Sequence, residues 1–375
     1  MKIAVNTRLL LRDRLDGIGW FTFEVFKRIV AAHPEVEFHF IFDRPYSSEF
    51  IFGKNVKAHV IPPPARHPML MKIWYDWSLP ALLKRIKPDI FISPDAQISL
   101  TSSVKQLVVI HDINFEHFPQ DIPKVYTDFL KKRSPRFAEK ASRIATVSEF
   151  SKQDLIKTYQ VDPDKIDVVY NGANTDYRTL SSEEKVLAKQ EFAQGEDYFI
   201  FVGSIHPRKN LQRLIPAFLA YKKRTNSTVK LVLVGNIFWQ DDQLKETMAE
   251  AIASGSILLK GRLGSRDLTR AIGGALASVY VSYFEGFGIP IVEAFYAGVP
   301  VITSNVTSMP EVAGDAALLV DPFSIDEISN ALERIATDEA LRKLLIERGN
   351  KRAEIFHWDK SAEAMWNCIT KALQK

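Results

Sequence analysis

The segment Ser278-Val279-Tyr280-Val281-Ser282-Tyr283-Phe284-Glu285-Gly286-Phe287-Gly288-Ile289-Pro290-Ile291-Val292-Glu293-Ala294 carries three local signals in order. Residues 278–281 are a short apolar run of the kind that forms a strand buried on both faces. Gly286 and Gly288 open a loop. Pro290 suits the first turn of a helix, where its φ is already helical and its missing N–H is no loss. A buried strand running through a glycine loop into a helix is how a parallel strand–helix–strand unit begins. Two acids stand out. Glu293 is expected on the first turn of an otherwise apolar helix start, with Glu285 eight positions upstream in the loop. A carboxylate there is costly to bury unless it accepts hydrogen bonds, and sugar or ribose hydroxyls are suitable donors. Backbone amides at 286–289 could meet a sugar or phosphate oxygen. Capping of the helix by Glu293 is the structural alternative.

The same strand–loop–helix order extends to both sides. Short Val/Ile-rich runs at 2–6, 37–43, 58–61, 90–93, 106–111, 143–147 and 166–169 form a first series. A second follows at 198–202, 230–234, 257–259, 278–281, 299–303 and 317–320. Amphipathic stretches separate them, which predicts an α/β protein with parallel sheets covered on both faces. So many strands exceed one comfortable sheet, so two doubly wound, Rossmann-like domains are expected. The break falls between Tyr170 and Asp197, after the turn signal Asn171-Gly172-Ala173-Asn174 and around a helix opened by the capping box Ser181-Ser182-Glu183-Glu184. The expected domains are residues 1–175 and 176–357, with a terminal helix over 358–375 returning to the first.

Composition narrows the class. In 375 residues, 46% hydrophobic and 25% charged, there is material for two cores. Twenty-four Phe, 11 Tyr and 6 Trp exclude a disordered chain. Cys368 is the single cysteine, so an intrachain disulfide or Cys-based zinc site is excluded and a cytoplasmic location is expected. No apolar run approaches ~18 residues, so no membrane span is expected. The net charge is +4; residues 1–175 carry 25 Lys and Arg against 20 Asp and Glu, the remainder 24 against 25. A basic first half suits an anionic acceptor or membrane surface, or is simply an uneven solvated face.

Ligands of a parallel sheet bind beyond the carboxyl ends of its strands. Three further loops lie there. After the first strand comes Asp16-Gly17-Ile18-Gly19-Trp20, with Gly17 and Gly19 read as a loop just before a helix over 21–30, either a close backbone approach or an ordinary turn. After the fifth come His111 and Asp112, suited to polar work or to a hydrogen-bonded loop. After the eighth comes Gly203-Ser204-Ile205-His206-Pro207-Arg208-Lys209-Asn210, which sets two cations before a helix near Leu211, suited to a diphosphate. Asp162-Pro163-Asp164 and Asp241-Asp242 read as a surface turn and a solvated helix start.

These residues together resemble the family 4 retaining glycosyltransferases of the GT-B fold. The resemblance covers essentially the whole chain and is strongest over 257–323. Its most specific element is the Glu, seven residues, Glu motif of Glu285 and Glu293. Ser148-Glu149-Phe150-Ser151, Val169-Tyr170-Asn171-Gly172, Pro207-Arg208-Lys209-Asn210 and Pro310-Glu311-Val312-Ala313-Gly314 support it. The resemblance implies a nucleotide-diphosphate sugar bound by the second domain and an acceptor held mainly by the first. Glu293 would accept from the ribose hydroxyls and Glu285 from those of the transferred sugar, with the amides of Gly286, Phe287 and Gly288. Lys209 and Arg208, beside Gly203, would hold the diphosphate. His111 would touch the donor sugar near its reacting carbon, Gly17 and Gly19 would border diphosphate and acceptor, and Arg262 and Leu263 would receive the base. Ser204 departs from the pattern, standing where many members have an Arg. Glu285, His111 and Lys209 are the expected catalytic residues, with no cofactor and no metal.

The resemblance further implies transfer with retention, most like that of mannosyltransferases using GDP-mannose, onto a saccharide or lipid-linked saccharide in surface polysaccharide synthesis; no nucleic acid is expected as partner. A GT-B epimerase, or a nucleotide-sugar-binding subunit without catalysis, is the alternative. Residues 69–80, Met-Leu-Met-Lys-Ile-Trp-Tyr-Asp-Trp-Ser-Leu-Pro, with Lys84, Arg85, Lys87 and Lys131-Lys132-Arg133 nearby, read as a helix packed on its sheet or lining the cleft. The alternative is a surface for peripheral contact with an anionic membrane.

Overall fold

The structure, a computed structural model, is described for all residues except 13, 175, 205, 236–241 and 375, and without the side chains of 242–244. The chain divides into two compact units, Met1–Asn171 with Trp358–Lys375, and Gly172–His357. Among the described residues the first unit holds β1 (Lys2–Asn6), β2 (Glu37–Phe42), β3 (Val56–Val60), β4 (Ile90–Ser93), β5 (Gln106–Val109), β6 (Arg143–Thr146) and β7 (Ile166–Val168). The second holds β8 (Tyr198–Val202), β9 (Lys230–Val234), β10 (Ile257–Gly261), β11 (Ala277–Tyr280), β12 (Val301–Ser304) and β13 (Ala317–Val320). The sheets run 3-2-1-4-5-6-7 and 10-9-8-11-12-13. Every strand pair is parallel. Strand order reverses between β1 and β4 and between β8 and β11, so each sheet has one switch point at which a ligand can lie.

The reason is visible in the strands. Phe38, Phe40, Ile90, Ile92 and Val108 in the first sheet, and Phe199, Ile200, Val232 and Val279 in the second, are fully buried. Buried on both faces, such runs need helices above and below. The helix Ser182–Ala193 opens on a reciprocal capping box between Ser181 and Glu184, as its sequence predicts. The terminal helix Trp358–Gln374 lies in the first unit, against the helix Gly17–Ala32. Met365, Cys368 and Ile369 are buried there, and Arg28 donates to Asp359 at 2.6 Å.

Residues 68–86 form one helical stretch whose central turn, Trp74–Ser78, is π-helical. Trp74, Tyr75, Leu79, Leu82 and Leu83 pack into the core of the unit, so the helix does rest on its sheet, while Trp77 is 70% exposed. Among the described residues no helix is long and apolar enough to cross a membrane. Asp162 lies in the expected turn and accepts from the amide of Asp164 at 2.9 Å. Asp242 starts a helix, and Asp241 lies outside the described residues.

Candidate active site

In the second unit the switch point gathers the chemistry. β8 ends at Val202, Gly203 and the exposed Ser204 follow it, and beyond them the chain forms a 3-10 turn, Pro207–Lys209. The His206 side chain caps that turn, accepting from the Arg208 amide at 3.4 Å. Asn210 adopts the left-handed conformation that Asn tolerates. Its buried Nδ2 donates to the carbonyls of Val281 (2.9 Å) and Pro322 (2.7 Å), which ties the cationic turn to the end of β11. The Tyr283 amide donates back to the Arg208 carbonyl at 3.0 Å.

This stitching brings Arg208, Lys209 and Glu285 together. Lys209 Nζ lies 2.6 Å from Glu285 Oε1, and Arg208 Nη1 2.6 Å from Oε2. Residues expected to serve two parts of one ligand therefore form a single ion-paired cluster carrying one net positive charge. Lys209 also bonds the Tyr280 hydroxyl and lies 4.6 Å from the centre of its ring. Burial by itself would raise the Glu285 carboxyl; the coulombic pull of Arg208 and Lys209, with their hydrogen bonds, outweighs it and holds the group at about 2. Burial and the facing Glu285 carboxylate push the Tyr280 hydroxyl well above its ordinary value.

The loop 285–288 is fixed from the strand beyond. Ser308, after β12, donates to the carbonyls of Glu285 (2.9 Å) and Phe287 (3.0 Å). Gly288 stands at φ +101, a conformation favouring glycine, and opens the helix Ile289–Tyr296. Pro290 is in the first turn as predicted. Glu293 is not: the helix starts at Ile289, which puts Glu293 on its second turn. There it is no cap. Tyr177 donates to its Oε1 at 3.0 Å. Burial pushes the carboxyl up to about 7, the Tyr177 bond pulling the other way. Arg262 and Leu263 follow the edge strand β10, two strands from β8.

In the first unit, Gly17 and Gly19 are not in a loop before a helix. Asp16 accepts from the Gly19 amide at 2.9 Å and starts the helix at Gly17, so both glycines lie in its first turn. His111 follows β5. Its Nε2 is 2.9 Å from the Pro94 carbonyl, an acceptor, so Nε2 carries the proton and Nδ1 keeps its lone pair. Burial lowers its pKa, and Phe21 meets its ring edge-on at 5.1 Å. Ser148 caps the helix Glu149–Tyr159, accepting from Ser151 at 3.0 Å. Among the described residues no group of three or more His, Cys, Asp or Glu side chains is placed to hold a metal ion.

Residues 15–177 match the model of Glycosyltransferase Family 4, and residues 182–352 that of Glycosyl transferases group 1. The chain belongs to the family 4 glycosyltransferases. Over its full length it is 30% identical to O-antigen chain mannosyltransferase B of Escherichia coli, of which it covers 98%. Over 61% of the chain it is 31% identical to the O-antigen chain mannosyltransferase RfbU of Salmonella typhimurium, 60% of which is covered. Its fold is that of GT-B structures. The lipopolysaccharide glycosyltransferase WaaG superposes with a TM-score of 0.76 at 17% identity (96% of this chain, 97% of the other). Anabaena HepE with UDP and glucose gives 0.75 at 16% identity (99% of each).

Within this glycosyltransferase, sequence reasoning missed Tyr177, Ser308 and the role of Asn210. Asn210 had a signal, an Asn directly before a helix and after two cations. Tyr177 and Ser308 had none, because their partners lie 116 and about 20 residues away in the chain.

Proposed function

We propose that this glycosyltransferase moves a hexose, mannose, from GDP-mannose to a saccharide or lipid-linked saccharide acceptor in surface polysaccharide synthesis, with retention of configuration. The observation that carries the reading is the Arg208–Glu285–Lys209 cluster at the β8/β11 switch point, in a chain aligned end to end with an O-antigen chain mannosyltransferase. Breaking the bond between anomeric carbon and phosphate builds negative charge on the departing diphosphate and oxocarbenium character on the sugar. Fixed cations aimed at the developing charge lower that barrier, because they need no reorganisation. Lys209 and Arg208 are such cations: Glu285 and Tyr280 hold their side chains in place. Glu285 stays ionised and can still accept from sugar hydroxyls. The amides at Gly286–Gly288 and the start of the helix Ile289–Tyr296 add positive potential, and Glu293 takes the ribose. The departing phosphate receives the acceptor proton on the same face, and no divalent metal takes part.

A thermal-shift screen over GDP-, UDP-, ADP- and dTDP-sugars tests the donor, with turnover and the anomeric proton couplings of the product recorded with and without EDTA. The largest shift is expected with GDP-mannose, with an α-linked product and a rate unaffected by EDTA. A larger response to another nucleotide, an inverted product or loss of rate in EDTA each overturns the corresponding element.

The reading includes peripheral contact with an anionic membrane. The exposed charges of residues 66–87, Arg66, Lys72, Lys84, Arg85 and Lys87, are all positive. Asp76, the one carboxylate of that stretch, is buried in a two-pronged pair with Arg133 at 2.7 and 2.8 Å. Trp77 and Met69 are 70% and 63% exposed beside these cations, an arrangement that suits a charged interface. Stronger co-sedimentation with phosphatidylglycerol-containing than with purely zwitterionic vesicles is expected at low salt, reduced in Trp77→Ala. Equal partitioning refutes it.

A further inference from the structure

We propose that Tyr177 is a positioning residue: it fixes the Glu293 carboxylate for the ribose of the donor nucleotide, and the segment that follows the unit boundary seats it there. The proposal rests on the ribose role given to Glu293 above. Tyr177 lies six residues past Asn171, where the first unit ends, yet it is buried. Its backbone turns on Asn174: the Tyr177 amide donates to the Asn174 carbonyl at 3.3 Å, and Asn174 Oδ1 accepts from Asp176 at 3.1 Å. Downstream, the segment lies in tracks left by missing side chains. A Cβ on Gly298 would collide with Thr179, and one on Gly273 with Leu180. Gly298 closes the very helix that carries Glu293. The segment thus crosses the end of that helix under steric control, and the Tyr177 ring reaches back to its second turn.

The chemistry fits a positioning role. Among the described residues Tyr177 is the one side chain that donates to this carboxylate, and it engages Oε1. A carboxylate held at one oxygen by a fixed donor presents the other in a defined direction, which a pair of ribose hydroxyls requires. A purely packing tyrosine would have no need of its hydroxyl, and a burial of this depth without a partner for the hydroxyl would be costly.

The test is a cycle of Tyr177→Phe, Glu293→Gln and the double variant in the full chain. Binding of GDP and UDP, and of their 2′-deoxy and 3′-deoxy forms, is measured by calorimetry; circular dichroism checks folding, and the phenylalanine keeps the ring in its site. Tyr177→Phe is expected to weaken binding of the ribonucleotide that the protein takes by about five- to tenfold, the range of one net intramolecular hydrogen bond. It is expected to shrink the preference for ribo- over deoxyribonucleotide by a similar factor, and to add nothing in the Glu293→Gln background. Equal weakening of ribo and deoxy forms, or a full effect in the double variant, overturns the proposal, because a general structural loss would behave so. Unchanged binding in Tyr177→Phe with weakened binding in Glu293→Gln overturns it alone. Unchanged binding in Glu293→Gln overturns the ribose role and this proposal with it.

Discussion

Glu285 and Glu293 are eight positions apart and end in opposite electrostatic states. Two cations hold Glu285 at about 2 despite its burial, while Glu293, with a single neutral donor, rises to about 7. Nothing in their spacing separates them; the difference lies in what each one faces. It dictates different losses. Glu285→Ala is expected to lower turnover about 100-fold with nucleotide binding little changed, because the cations lose their alignment; steady-state kinetics with a saturating donor reads this, and unchanged turnover refutes it. Glu293→Ala is expected to raise the donor KM about tenfold while turnover changes less. The sign for pH follows from ionisation. As pH falls through about 7 the Glu293 carboxyl takes up a proton and stops accepting from two hydroxyls, so nucleotide affinity should decline between about pH 8 and about pH 6. Glu293→Gln should flatten that decline, as calorimetry across the range would show.

At the scale of elements, periodicity and apolar runs were sufficient for the strands but not for the ends of the helices. The helix Gly17–Ala32 starts at a glycine because the Asp16 side chain takes up the Gly19 amide, an energy term that a glycine-poor helix rule overlooks. The helix Ile289–Tyr296 starts where Gly288 takes a positive φ, and that placement moves Glu293 from the capping position into the ribose-binding one proposed here. The loop between β11 and that helix is held by Ser308, whose fully buried hydroxyl serves two carbonyls of the site. Ser308→Ala should cost about 1–3 kcal/mol in urea unfolding, since those buried carbonyls lose their donor, and should lower turnover in proportion to the loosened loop. A variant with unaltered stability and rate would show that the loop is held by its own packing.

At the scale of the whole molecule, the terminal helix belongs to the unit that the chain left at Asn171. Truncation before Trp358 would uncover Phe21, whose ring meets Trp358 at 6.4 Å, and remove the buried Met365, Cys368 and Ile369. A loss of that much apolar contact is expected to leave the shortened chain insoluble or lacking a cooperative thermal transition. Cys368 is buried beside Asp167, and burial pushes its thiol up, so reaction with a thiol reagent is expected only on unfolding. The amino-acid sequence by itself determined the strand runs, the two parallel-sheet layers and the family, because burial on both faces writes itself as short apolar runs and the glutamate motif is local. Only the tertiary structure decided that Arg208 and Lys209 face Glu285, that Tyr177 faces Glu293 and that Ser308 braces the loop. Those partners meet through sheet order and through carbonyl–amide ties between strands, at separations over which a chain carries no periodic signal. Electrostatic state is a property of that meeting: one glutamate became an anion between cations and the other a carboxyl waiting at neutral pH.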